Sequence, residues 1–101
     1  MAAPIIIRGL STGTLIIQVP LEPINAIMQE RSGMGKTGET YLVGSDFLMR
    51  SDSYLDKTQR SVAASFANPH SGSVKTAAIT AATGGLSGAK NIINYNNNPV
   101  L

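Results

Sequence analysis

The sequence has no cysteine and a single histidine, His70. The absence of cysteine excludes a disulfide framework, thiolate metal sites and a thiol nucleophile. One histidine alone excludes a multi-histidine metal site. Cysteine-free chains occur in both redox compartments, so this absence does not fix the location. We therefore expect neither a bound metal ion nor a cofactor.

Charged residues are also few, at 14% of the chain, against roughly 25% in ordinary domains. The eight lysines and arginines exceed the six acidic residues by two, and they stand singly along the chain. Nucleic-acid and anionic-membrane binders show basic runs or stripes, so no nucleic-acid partner is expected. A surface of Ser, Thr, Asn, Gln and Gly suits an exported domain.

Long apolar runs are missing as well. The longest runs, residues 5–7 and 15–17, fall far short of the roughly 18 residues of a membrane-spanning helix. The opening MAAP has neither the basic region nor the apolar core of a signal peptide. Apolar residues at both ends suggest a piece excised from a longer protein. With 43% hydrophobic residues, 101 residues are enough for one modest core.

The first third of the chain predicts a β-hairpin followed by a helix. Residues 4–8 (PIIIR) and 14–19 (TLIIQV) are β-branched runs joined by a glycine-bounded turn. Apolar residues at helical spacing over 21–28 predict a short amphipathic helix that stops at Gly33.

The rest of the chain predicts a second hairpin, an alanine-rich helix and further strands. These elements are strands 40–43 and 47–51 around a turn at 44–46, a helical turn or two at 62–67, a loop at 68–73, a helix at 74–83 with Ser73 as N-cap, a strand at 89–95, a tight turn at 96–98 and a partial strand at 99–101. Strands joined by short turns predict an antiparallel sheet in a single α+β domain.

Three segments together resemble a known family. Residues 33–56 (GMGKTGETYLVGSDFLMRSDSYLD), 60–69 (RSVAASFANP) and 93–101 (INYNNNPVL) are similar to the extracytoplasmic Cache sensor domains of bacterial methyl-accepting chemotaxis receptors and related sensor proteins. The most specific part is LVGSDFLMRSDS, and the resemblance extends over roughly residues 3–101.

The resemblance implies a PAS-like antiparallel sheet of about five strands, with helices packed mainly on one face. Within a single domain, residues 1–33 resemble the hairpin and helix that end one module, and residues 34–101 resemble most of the next. The implied function is small-molecule sensing in the periplasmic part of an inner-membrane chemotaxis receptor. The alternatives are the sensor of a histidine kinase or nucleotide cyclase, or a structural or dimerisation spacer that binds no ligand.

Arg50 and Asp52 are the best candidates for a ligand site. They lie two apart on a predicted strand and so share a face, where a buried arginine is costly unless it is paired or ligand-bound. An internal salt bridge or a solvated edge is the alternative. Tyr54 and Tyr95 complete the predicted ligand-binding set, with Tyr41 a third tyrosine able to contact a ligand. Each tyrosine equally suits the edge of a core.

Residues 33–37 (GMGKT) mimic the end of a phosphate-binding P-loop. Glu30 occupies the position where that loop needs a glycine, and the predicted helix precedes the segment instead of following it. A connector is therefore favoured over a nucleotide site.

The remaining polar candidates do not form a reactive set. The spacing of Asp46, Asp52 and Asp56 matches no calcium-binding loop, and Asp46 suits a turn residue that bonds its own backbone. His70 lies in a predicted loop without an oriented nucleophile. No nucleophile–base–orienter set can be assembled, so no enzymatic activity is expected.

The predicted partial strand at 99–101 would leave backbone groups of its neighbour unpaired, and such an edge is a template for another strand. The isoleucine-rich N-terminal hairpin offers matching strands. Either the same chain supplies them and closes the sheet, or a second copy supplies them and the chain forms a homodimer.

Overall fold

The chain forms two separate two-stranded antiparallel sheets and four short helices. The computed structural model describes all 101 residues. In chain order its elements are β1 (Ala2–Ile7), β2 (Leu10–Ile16), α1 (Leu21–Met28), α2 (Val62–Ala67), α3 (Pro69–Gly72), α4 (Ala77–Thr83), β3 (Ile92–Ile93) and β4 (Pro99–Val100). No helix has the length and apolar content that crossing a bilayer requires.

The predicted N-terminal hairpin is confirmed, but its turn is shorter than the expected segment 9–13, because residues 10–13 belong to β2. β1 and β2 pair antiparallel, with a shift of register between Ile5 and Ile6. Arg8 and Gly9 at the turn have φ values of 50° and 77°, the left-handed geometry that a two-residue hairpin turn needs. Every residue from 1 to 20 is exposed, and no other helix or strand contacts the hairpin.

The predicted helix after the hairpin is also confirmed, but α1 ends at Met28, before the expected stop at Gly33. Beyond the helix, the Glu30 carboxylate accepts hydrogen bonds from the backbone N–H and the hydroxyl of Ser32. This local turn competes with further helical bonds. Within the predicted apolar stripe, Ile27 is 69% exposed.

The predicted second hairpin is wrong as a pair of strands. A single isolated bridge joins Val43 to Met49. The backbone N–H of Leu42 donates to the Ser51 hydroxyl at 2.9 Å instead of to a backbone carbonyl. Because the Ser51 side chain accepts the hydrogen bond of this N–H, the backbone hydrogen-bond ladder between the two segments does not extend beyond the bridge.

The prediction of a PAS-like sheet of about five strands with helices on one face is likewise wrong. β1 pairs only with β2, and β3 pairs only with β4. The helices α2, α3 and α4 have six, four and seven residues, too few to cover a broad sheet. Turns and loops tied by side chain–backbone hydrogen bonds occupy the region where the central strands were expected.

The core is small and partly polar. Its buried apolar side chains are Met49, Val74 and Ile79. Three serines (Ser51, Ser53, Ser65) are fully buried beside them. The Ser65 hydroxyl accepts a hydrogen bond from the Met49 N–H at 3.0 Å and donates to the Gly72 carbonyl at 2.9 Å. Serine hydroxyls therefore satisfy backbone groups that a sheet would otherwise pair.

The helices around this core begin at polar caps. The predicted helix at 62–67 is confirmed as α2, with Ser61 as N-cap. The predicted loop at 68–73 instead contains α3, because Asn68 caps it and a proline occupies its first turn. α4 begins three residues later than predicted, because Thr76 and not Ser73 is its N-cap.

We expect Gly72→Ala to lower the free energy of unfolding by about 1–3 kcal/mol, the usual cost of overpacking. A Cβ atom at this position would lie 2.6 Å from the Ser65 Cα, in the contact between α2 and α3. Thermal denaturation followed by circular dichroism measures the loss. Gly88→Ala is the matched control, since a Cβ there meets nothing within 4 Å. Equal stability of the two variants would contradict this packing.

Candidate functional site

A recess lies between the connection after α1 and the β3–β4 hairpin. Its volume is about 430 Å³. Charged, aromatic and aliphatic side chains line it, among them Glu39, Tyr41, Leu55, Lys90, Ile92 and Tyr95. A larger depression of about 670 Å³ beside Lys75 is more open and contains no carboxylate. We call the smaller recess the Glu39 cleft.

The Glu39 carboxylate is held entirely by neutral donors. Its Oε2 atom accepts hydrogen bonds from the Ser53 hydroxyl at 2.7 Å and from the N–H groups of Tyr54 and Leu55 at 3.0 and 3.3 Å. Its Oε1 atom accepts one from the Tyr95 hydroxyl, which leaves Oε1 an open acceptor position. No basic side chain lies within the 4.0 Å distance of a salt bridge. The cleft therefore contains an unpaired negative charge.

The turn between β3 and β4 positions Tyr95. The side-chain oxygen of Asn94 accepts the N–H groups of Asn96 and Asn98, both at 2.9 Å. Asn97 adopts a left-handed φ of 60°, a conformation that asparagine tolerates better than most residues. The predicted turn at 96–98 is confirmed, and it fixes the tyrosine at the wall of the cleft.

Two tyrosine rings meet in the cleft. The Tyr41 and Tyr95 rings pack edge to face, with centroids 5.6 Å apart. Burial, and after it the hydrogen bond to Glu39, raises the pKa of Tyr95 well above its usual value. Burial and the nearby Glu39 charge also raise the pKa of Tyr41. Both phenols stay neutral at pH 7, and aromatic faces of this kind attract cations.

Arg60 connects the cleft to the core. The side chain is 9% exposed. Its Nη1 atom donates to the carbonyls of Ser71 and Ser73 at 2.9 and 3.2 Å, and Nη2 donates to the Tyr95 carbonyl at 3.4 Å. The guanidinium also lies 5.0 Å from the centre of the Tyr95 ring. Arg60 therefore links Tyr95 to the segment that precedes α4.

The structure separates Arg50 from Asp52. Arg50 forms an exposed ion pair with Asp46 at 2.8 Å and lies over the Phe66 ring at 4.9 Å. The hydrogen bond from Arg50, together with that from the Leu48 N–H, lowers the pKa of Asp46. Asp46 thus bonds its own turn, as its position in the sequence indicated. Arg50 does not line the Glu39 cleft.

Asp52 connects two helices. Its Oδ2 atom accepts a hydrogen bond from the Asn25 amide at 2.8 Å, and its own N–H donates to the Asn25 side-chain oxygen at 2.8 Å. Its Oδ1 atom accepts the Val62 N–H, also at 2.8 Å, at the start of α2. The Asp52 carboxylate therefore joins α1 to α2.

Of the two predicted tyrosines, Tyr95 lines the cleft and Tyr54 borders it. The Tyr54 backbone N–H donates a hydrogen bond to the Glu39 carboxylate. The Tyr54 side chain is 40% exposed, and the cationic groups of Arg31 and Lys57 lie 4.0 Å and 5.2 Å from the centre of its ring. The predicted set is thus distributed over three places: a surface ion pair, a helix junction and the cleft.

The P-loop-like segment encloses a cation and not a phosphate. The Arg31 guanidinium donates to the carbonyls of Gly35, Lys36 and Gly38 at 2.9–3.1 Å, whereas a phosphate loop turns its N–H groups inward. His70 is exposed in α3. No three His, Asp or Glu side chains lie close enough together to hold a metal ion.

Sequence reasoning missed Glu39, Lys90 and Arg60 as members of this site. A signal for Glu39 exists, since it lies two residues before Tyr41, a spacing that puts both on one side of an extended segment. Arg60 carried no signal, because neighbouring residues show no apolar pattern that marks it as buried.

A scan of protein-family models and searches of curated proteins and solved structures find no significant match to this chain. The Glu39 cleft combines an apolar lining with a few convergent polar groups, as small-molecule sites do.

Proposed function

We propose that the chain is a small-molecule-sensing part of a bacterial transmembrane receptor of the methyl-accepting chemotaxis type, facing the periplasm. The observation that carries the proposal is the Glu39 cleft, with its carboxylate, lysine and pair of tyrosine rings. The resemblance of residues 33–56 to Cache sensor domains supplies the receptor context.

The charges of the cleft favour a small amine or amino acid as ligand. The open acceptor position on Glu39 and the Tyr41 and Tyr95 rings suit an ammonium group. Lys90 lines the same cleft and supplies a positive charge for a carboxylate. The cleft volume of about 430 Å³ is large enough to admit such a molecule.

The contacts of Tyr95 provide a route from ligand to conformation. A ligand signals only if it binds one arrangement of the protein more tightly than another. An ammonium group at the open position of Glu39 Oε1 lies directly beside the Tyr95 hydroxyl, which donates to the same atom. Through its carbonyl and ring, Tyr95 also contacts Arg60, which holds the segment before α4. Ligand binding thus shifts the β3–β4 hairpin relative to the core.

Two alternative functions remain for this chain besides the sensor of a chemotaxis receptor. The sensor of a histidine kinase or a nucleotide cyclase would use the cleft in the same way, and the output domain alone distinguishes these parents. A dimerisation spacer is favoured by a different observation, the fully exposed β1–β2 hairpin.

Thermal-shift measurements with three probes of similar size, propylamine, alanine and propionate, test the proposal. We expect propylamine and alanine to raise the melting temperature and propionate to have no effect. A ligand at ten times its Kd adds about 1.4 kcal/mol, which corresponds to about 5–10 °C for a domain of this size. An equal shift with propionate would contradict the role of Glu39.

Lys90→Gln refines the test, because the side chain is exposed and its loss leaves the fold intact. We expect this variant to reduce the shift with alanine and to keep the shift with propylamine. Lys36→Gln makes the same charge change on an exposed residue outside the cleft, so it serves as the control. Identical alanine shifts in both variants would exclude Lys90 from the site.

A further inference from the structure

The β1–β2 hairpin presents an apolar surface that nothing in the chain covers. Eight large apolar side chains are 42–72% exposed: Ile5, Ile6, Ile7, Leu10, Leu15, Ile16, Ile17 and Val19. The hairpin contacts no other element, and the radius of gyration is 16.8 Å, against about 13 Å for a compact chain of this length. Exposed apolar surfaces of this extent mark interaction sites.

The two edges of the hairpin differ. Met1 and Ile17 exchange both backbone hydrogen bonds. Hydrogen-bonded and non-hydrogen-bonded residue pairs alternate along an antiparallel ladder, so the Pro4–Thr14 pair, three positions further, is a non-hydrogen-bonded pair. Backbone groups of such pairs point away from the partner strand. On β1 the outward position at Pro4 has no N–H, which interrupts that edge. On β2 both Thr14 and Ile16 direct N–H and C=O groups outward, so this edge is open to another strand.

We propose that the open β2 edge pairs with the β2 edge of a second copy of this chain, antiparallel and about a two-fold axis. The product is a four-stranded sheet with the Pro4-interrupted strands outermost, which closes the assembly as a dimer. A sheet of two strands alone is only marginally stable, whereas three or more strands with an apolar face can form a stable sheet. This interface is separate from the Glu39 cleft.

The charge of the hairpin fits a second copy. Arg8, at the hairpin turn, is the only charged side chain in residues 1–20. Antiparallel pairing puts the two Arg8 side chains at opposite ends of the sheet, whereas parallel pairing would put them side by side.

A lipid surface fits the hairpin less well. Hydrocarbon does not satisfy the outward N–H and C=O groups of Thr14 and Ile16, and open sheet edges do not occur there. Surface-bound segments also carry several basic residues, and this hairpin has one.

Sedimentation velocity of the full 101-residue chain over a dilution series tests the proposal. We expect a dimer that dissociates on dilution. Thr14→Pro removes an outward N–H and spares the intrachain bonds, so we expect a monomer, while Thr14→Val retains the N–H and the dimer. Pro4→Ala restores the missing N–H on β1, and we expect species larger than a dimer that grow with concentration.

Circular dichroism verifies that each variant keeps its strand signal. If Thr14→Pro loses it, Thr14→Lys places positive charge on both paired edges and is expected to give the monomer instead. A wild-type monomer at all concentrations would overturn the proposal. So would a dimer that survives Thr14→Pro and Thr14→Lys but is lost in Leu15→Lys, since the faces and not the edges would then pack. A monomer that sediments with phosphatidylcholine vesicles would identify lipid as the partner.

Discussion

Arg60→Ala is expected to lower the free energy of unfolding by about 3–5 kcal/mol. The buried guanidinium satisfies the carbonyls of Ser71, Ser73 and Tyr95. A hydrogen bond to a charged group contributes about 1.5–3 kcal/mol, and a buried acceptor left without a partner costs about 1–3 kcal/mol. Small domains have about 5–15 kcal/mol in total, so the melting temperature should fall by more than about 12 °C.

Chemical denaturation followed by circular dichroism measures this loss. Arg31→Ala is the matched control, because Arg31 also donates to three carbonyls but does so in a surface loop. We expect it to cost about 1 kcal/mol. Arg60→Met keeps an apolar stem and separates packing from hydrogen bonding. If Arg60→Ala were as stable as Arg31→Ala, the guanidinium would not hold the segment before α4 to the core.

The elements that depend on near neighbours in sequence could be predicted. The first hairpin and α1 follow from β-branched runs, a glycine turn and apolar spacing, all of which act over a few residues. The second hairpin has the same local signals, but the Leu42 N–H bonds the Ser51 hydroxyl. A side chain that competes with the backbone is not visible in a pattern of apolar residues. The expected five-stranded sheet depended on this hairpin and was lost with it.

The candidate site could be predicted only in part, because its contacts span long distances along the chain. Arg50 and Asp52 were paired on the alternation of a strand, and without that strand Arg50 turns toward Asp46. The hydrogen bond between Tyr95 and Glu39 joins residues 56 positions apart. Periodicity carries no information about such a pair, so Tyr95 was predicted without its carboxylate partner.

Asp52→Ala is expected to lower the free energy of unfolding by about 3 kcal/mol. The substitution removes the hydrogen bonds from the Asn25 amide and the Val62 N–H to a carboxylate, each worth about 1.5–3 kcal/mol. It also leaves the first turn of α2 without the negative charge that favours a helix N-terminus. Asp56→Ala is the control, since that carboxylate accepts only the exposed Gln59 N–H, and about 1 kcal/mol is expected.

A double-mutant cycle shows whether Asp52 acts through Asn25, 27 residues away along the chain. The Asn25 amide donates to the Asp52 carboxylate, and the Asn25 side-chain oxygen accepts the Asp52 backbone N–H. Asn25→Ala therefore removes both bonds, Asp52→Ala removes the first, and the bond between the two side chains is lost in either variant. The double variant should therefore cost about 1–2 kcal/mol less than the sum of the single ones, within the range found for residues in contact. Denaturant titration of the four proteins gives this coupling energy. Additivity within about 0.5 kcal/mol would mean that α1 and α2 are held together by other contacts and that Asp52 serves α2 alone.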